Sequence, residues 1–316
     1  LLCALALAKA ERYRPVFAAI MLLPMSLFMG ASLSYDATLL GCYYLMLALL
    51  TRKEWNTQTA GIYTAACIFV NIAKPYLNLL WVLPIFLVAK REWHAKGRRP
   101  LWALGGFGGA MAVTLLTEWY GTAFRYNYPM IERQGGSTVN GGEQLAFVLR
   151  NPLRTIAAFW GTLGENDFFI GQLGLFGWKD LPISFLNLTS PLVLLLAALL
   201  AAAQPKRADA FPTRRRVGGA ALLALVYAAG AMAAMYITYT PVGMVRIVGL
   251  QARYFLCVWL ALLLALAVLL RKTIRPAITE EKAEAVITPL CACYAVFGAV
   301  LLFQHYFVGP VYVVYA

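Results

Sequence analysis

Charged side chains recur at short polar breaks between apolar runs, and those breaks carry the chemistry this sequence can offer. Ser34-Tyr35-Asp36 interrupts one pair of runs, Lys74-Pro75-Tyr76 a second, and a longer stretch holding Arg246, Gln251, Arg253 and Tyr254 a third. Arginine's planar fork gives phosphate two parallel hydrogen bonds, and lysine supplies a point charge. Lys74, Arg246 and Arg253 are therefore candidates to hold an anion, with Asp36 as a nearby carboxylate able to act as a base. The competing reading is an Asp36–Lys74 structural ion pair, with the arginines as anchors that snorkel at helix ends.

A fourth polar region, GTLGENDFFIGQLGLFGWKDLPISF, mixes glycine and aromatics with Glu165, Asp167 and Asp180. Glu165-x-Asp167 offers oxygen ligands to a divalent metal ion, the one cofactor these residues suggest. Aromatics such as Trp178 among polar groups suit stacking on sugar rings. At a membrane interface they also form an aromatic belt.

The elements that must position these residues are membrane helices. The chain is 61% hydrophobic and 13% charged, against about 25% charged in soluble domains, which excludes a soluble globular protein. Apolar runs fall at about 15–33, 37–50, 58–73, 77–89, 101–118, 186–203, 217–236, 254–270 and 285–303. They predict an all-α, polytopic transmembrane bundle of about nine spans. The opening LLCALALA reads as the tail of a truncated tenth span, so residues 1–316 are expected to be one N-terminally truncated transmembrane domain.

Orientation follows from the basic residues. The connections at 9–14, 51–56, 90–100, 204–216 and 271–284 hold 19 of the 27 Lys and Arg, and the alternate connections hold 8. Positive-inside bias puts the first set in the cytoplasm and the three breaks on the outer side. The formal net charge of +13 then reflects topology and contact with lipid headgroups, and calls for no nucleic-acid partner.

Residues 119–185 make an outer segment too long for a simple connection. Within it Leu145, Val148, Leu149, Leu153, Ile156 and Trp160 fall near one helical face, predicting a helix that lies in the membrane interface. All six cysteines lie in apolar runs, and Cys291 and Cys293 point to nearly opposite faces of a helix, so no disulfide or thiolate metal site is expected.

Four spaced motifs resemble one bacterial family. Ser34-Tyr35-Asp36, Lys74-Pro75-Tyr76, Gly174-Leu175-Phe176-Gly177-Trp178-Lys179-Asp180-Leu181-Pro182 and Gly249-Leu250-Gln251-Ala252-Arg253-Tyr254-Phe255 follow the order and spacing of the multi-pass membrane proteins of domain of unknown function 2142. That family is similar in layout to the GT-C membrane glycosyltransferases. The resemblance implies a bacterial cytoplasmic-membrane protein that takes a sugar from a polyprenyl-phosphate carrier and passes it to a glycan acceptor at the outer face. Lys74, Tyr76, Trp178, Asp180, Arg246, Gln251, Arg253 and Tyr254 would bind substrate, and Asp36 would assist catalysis. The first outer loop, where that class carries its catalytic acid, is expected to precede this chain. Three departures stand out: Lys74-Pro75-Tyr76 shortens its motif, Ala252 replaces a glycine and Lys179 interrupts a Trp–Asp pair. A transporter or flippase for a lipid-linked or anionic solute, and an envelope-assembly scaffold, are the competing functions.

Overall fold

The computed structural model describes residues 1–11, 13–32, 34–52, 55–73, 83–84, 105, 108–109, 112, 116, 139–164, 171–177, 181–204, 214–271, 273–275 and 277–308. Among them the helices are α1 (Leu2–Lys9), α2 (Arg14–Met21), α3 (Pro24–Ala31), α4 (Tyr35–Leu50), α5 (Thr57–Ala73), α6 (Gly141–Arg150) and α7 (Pro152–Leu163). After a 3-10 turn at Gly171–Gly174, β1 (Leu175–Phe176) pairs antiparallel with β2 (Leu181–Pro182). Then come α8 (Ser184–Ala202), α9 (Arg214–Thr238), a 3-10 turn at Ala252–Phe255, α10 (Leu256–Leu270) and α11 (Glu280–Phe303).

These lengths overturn the nine-span bundle. Among the described residues, two helices are long and apolar enough to cross a membrane, Ser184–Ala202 and Glu280–Val308. A third crossing exists if α2 and α3, bent by 61°, form one broken span. The apolar helices Asp36–Leu50, Ala224–Thr238 and Leu256–Leu270 have 10–17 residues. A helix of 15 residues rises about 22 Å, short of a hydrocarbon core of about 30 Å. The runs at 77–89 and 101–118 lie almost wholly outside the described residues. The multi-pass, GT-C-like layout that the family resemblance implied conflicts with so few long apolar helices among the described residues.

The 15–33 run illustrates why an apolar stretch is not one span. Pro24 has no N–H, so the Ile20 carbonyl loses its helical partner and the chain bends. The buried Ser26 hydroxyl takes that carbonyl instead, donating to Ile20 O at 2.6 Å, and lies 3.0 Å from Tyr44 Oη on α4. The break is thus closed by a side chain of the same segment.

α8 and α11 are joined by polar contacts. Tyr294 Oη lies 2.7 Å from Thr189 Oγ1 and 2.8 Å from Ser190 Oγ, next to Pro191 inside α8. Between helices in lipid such bonds substitute for a hydrophobic driving force. The core gathers α2, α4, α8 and α10 around fully buried Phe17, Ile20, Tyr44, Leu186 and Leu260.

The bundle has two polar ends. At one, Arg14 Nη1 lies 3.6 Å from Glu284 Oε1, and Arg52 Nε lies 3.4 Å from Glu11 Oε1. Arg271 is buried there, donating to Gln204 O at 3.2 Å with its guanidinium 5.7 Å from the Tyr13 ring centroid. Members of four of the basic clusters, 9–14, 51–56, 204–216 and 271–284, therefore meet. The Gly171–Gly174 turn and the Ala252–Phe255 turn meet away from these clusters.

Candidate functional site

The second end is built around residues 239–255, between α9 and α10. A backbone without regular structure needs partners for its N–H groups, and here two short helices supply them. Gly243 N donates to Gln144 Oε1 of α6 at 2.9 Å. Ile247 N donates to Thr162 Oγ1 of α7 at 2.9 Å, and Thr162 in turn donates to Ala158 O at 2.7 Å. Within the loop, Thr240 Oγ1 accepts from Val248 N at 3.1 Å and donates to Met235 O at 3.1 Å, while Tyr236 Oη donates to Met244 O at 2.8 Å.

Gly249 completes the turn. Its φ of +75° is one that side-chain-bearing residues avoid, and a Cβ there would stand 2.5 Å from Tyr239 Cε1. Arg246 is exposed, while its neighbour Ile247 and Leu250 are buried anchors. The loop therefore presents a guanidinium on a fixed backbone.

Gln251 follows, half-buried, and its side-chain Oε1 is buried with no hydrogen-bond partner among the described residues. Such an acceptor is matched by a hydroxyl or amide donor from a ligand. Tyr254 N donates to Gln251 O at 3.1 Å, opening the 3-10 turn that leads into α10. Arg253 occupies that turn; its side chain lies outside the described residues.

The glycine-rich segment reaches the same place. The Gly171–Gly174 turn packs against the Ala252–Phe255 turn and against α3 and α8. Gly174 donates to Asn187 Oδ1 and accepts from Ile183 N at 2.7 Å, and a Cβ on it would stand 2.6 Å from both Asn187 Oδ1 and Ile183 O. Phe176, fully buried, meets Phe28 of α3 edge-on with ring centroids 5.3 Å apart.

Asp36 lies on the adjoining α3–α4 break, in the first turn of α4, and is partly exposed. Ser34 Oγ accepts from Asp36 N at 3.2 Å and caps the helix. The structure thus packs the glycine-rich turn on the Ala252–Phe255 turn and on α3, the helix that leads to the Ser34–Asp36 break. Lys74, Tyr76, Trp178, Asp180, Glu165 and Asp167 lie outside the described residues. Among the described residues no group of three His, Cys, Asp or Glu can hold a metal ion. None of the six cysteines is in a disulfide, and Cys291 is buried while Cys293 is exposed on α11.

The expected single interfacial helix is two helices. Pro152 fixes the start of α7 directly after Asn151, which ends α6. Sequence reasoning missed Gln144, Thr162 and Asn187 as supports of the site. Their partners lie 99, 85 and 13 residues away, and no local pattern encodes such pairings.

No curated protein and no solved structure matches the chain. A family model described as "Predicted membrane protein (DUF2142)" matches residues 1–278. Its span takes in the α3–α4 break, the glycine-rich turn and the Arg246–Phe255 loop, and so the chain belongs to this family of membrane proteins, domain of unknown function 2142.

Proposed function

We propose that this membrane protein binds a polyprenyl-phosphate-linked sugar at the end of the bundle formed by residues 239–255 and 171–176. There it transfers the sugar to a glycan acceptor in cell-envelope polysaccharide assembly. The observation that carries the reading is the pairing of an exposed arginine on a braced loop with the unmatched acceptor of Gln251 five residues on. A phosphate suits the first, and a sugar hydroxyl suits the second.

In this reading the acceptor hydroxyl attacks the anomeric carbon, and the bond from that carbon to the phosphate oxygen breaks. The acceptor's proton goes to a carboxylate, with Asp36 the described candidate. Arg246 and Arg253 hold the departing polyprenyl phosphate. Positive-inside bias favours the outer membrane face for this end, because the 9–14, 51–56, 204–216 and 271–284 clusters occupy the opposite one.

The test uses the full-length protein in lipid nanodiscs and a short-chain polyprenyl phosphate. Saturable binding is expected, weakened roughly 10- to 100-fold in Arg246→Ala, as for loss of a charge-assisted hydrogen bond. Asp36→Asn is expected to keep binding and lose transfer from a sugar-loaded donor. A folded wild type that does not bind, or an Arg246→Ala variant that binds equally well, overturns the reading.

A further inference from the structure

We propose that α6, α7 and residues 242–245 form a clasp that dips into one leaflet of the bilayer and holds the Arg246 loop at headgroup level. This stands apart from the identity of any ligand bound there. Among the described residues, α6 and α7 leave large apolar side chains uncovered: Leu149 is 74% exposed, Leu153 80% and Trp160 74%, with Leu145 and Ile156 beside them. The opposite side of the pair is anchored, with Gln144, Ala158 and Thr162 buried. A helix pair with one face in the protein core and an apolar face outside has two apolar surroundings to satisfy.

The loop extends the same surface. Val245 is 76% exposed, and its carbonyl lies 3.5 Å from where a Cβ on Gly161 would stand, next to Trp160. Val242 and Met244 are also exposed, and Phe147 closes on Gly243. The apolar surface is therefore continuous from α6 across α7 to the loop.

Two observations select lipid as the occupant. α6 packs on α9 beside Ile237, near the end of a helix whose Leu222, Leu225 and Val226 are exposed along its length. The clasp thus sits at the end of a helix that itself leaves apolar side chains uncovered. Its charges are also those that lipid phosphates attract: Arg150 and Arg154 flank the bend and Arg246 lies on the loop, all exposed. Glu143, the acidic residue of the pair, is set apart in the first turn of α6. Tryptophan at the edge of such a surface suits the interfacial layer.

The consequence is a mechanical link. The Gln144–Gly243 and Thr162–Ile247 hydrogen bonds join the lipid-facing pair to the backbone on either side of Arg246. Docking of the clasp therefore sets where that guanidinium stands.

The test is Trp160 fluorescence in nanodiscs made with brominated phospholipid, taken as the difference between wild type and Trp160→Phe. Stronger quenching by lipid brominated near the headgroup than near the chain end, with little quenching by aqueous iodide, is the expected result. Quenching by iodide alone overturns the proposal. So does shielding from both quenchers, which would mean that a protein surface, from this chain or a second copy, covers the patch. The Leu149→Glu/Leu153→Glu variant supplies a second readout, because both side chains are exposed and the fold does not need them. Faster hydrogen exchange at Gly243 and Ile247 in nanodiscs, with detergent stability unchanged, is expected. Unchanged exchange overturns the link to the loop.

Discussion

Gln144 and Gly243, 99 residues apart, meet in a hydrogen bond of 2.9 Å from the loop amide to the buried side-chain carbonyl oxygen. Gln144 is fully buried and is the point at which α6 grips the loop that carries Arg246. Gln144→Leu keeps the volume and removes the acceptor, leaving Gly243 N–H without it. Such a loss costs about 1–3 kcal/mol. A lower Tm and faster exchange at residues 243–248 are expected, with Gln144→Glu, which restores an acceptor, closer to wild type in exchange.

At the α2–α3 break, Ser26 supplies the hydrogen bond that Pro24 cannot. Ser26→Ala should leave the Ile20 carbonyl unsatisfied, at about 1–3 kcal/mol. Pro24→Ala allows the ordinary helical bond, so Ser26→Ala should cost less on that background. A double-mutant cycle of thermal stability in detergent checks the coupling.

Gly174 is hemmed in by backbone and by Asn187, so Gly174→Ala must displace Ile183 O as well as a side chain. Overpacking of this kind costs about 1–3 kcal/mol. Asn187→Ala relieves one of the three close contacts and leaves the Ile183 O and residue-187 N backbone atoms in place, so the Gly174→Ala/Asn187→Ala protein should remain destabilised. Equal stability of Gly174→Ala and wild type would show that this turn is not tightly built.

The two kinds of arginine at the opposite end should behave differently. Arg14 pairs with Glu284 on a partly exposed surface, and exposed ion pairs contribute about 0–1 kcal/mol. Arg271 is buried, bonded to Gln204 O and set over Tyr13, and its charged hydrogen bond alone is worth about 1.5–3 kcal/mol. Melting temperatures should therefore fall in the order wild type, Arg14→Ala, Arg271→Ala. Arg271→Lys should recover part of the loss, since lysine keeps the charge and lacks the planar fork.

Tyr294 ties α11 to α8 through Thr189 and Ser190. Tyr294→Phe removes the hydroxyl and keeps the ring, and interhelical hydrogen bonds of this type average about 0.6 kcal/mol in lipid. A small drop in Tm with unchanged helicity by circular dichroism is the expected outcome.

Composition alone determined that the chain is a membrane protein, because so little charge cannot cover a soluble surface. Local sequence also determined the helix starts: Ser34, Asn140 and Thr279 cap α4, α6 and α11 through their side chains. The spaced motifs pointed to the family and to a site near Arg246 and Gln251. Hydrophobicity could not count the crossings, since a run of apolar residues has the same hydropathy whether Pro24 bends it or a straight helix continues. Only the tertiary structure decided that the 171–176 turn meets the 252–255 turn, and that Gln144 and Thr162 brace the loop. Those contacts are set by the packing of helices far apart in sequence, where a buried N–H must find whatever acceptor the fold brings to it.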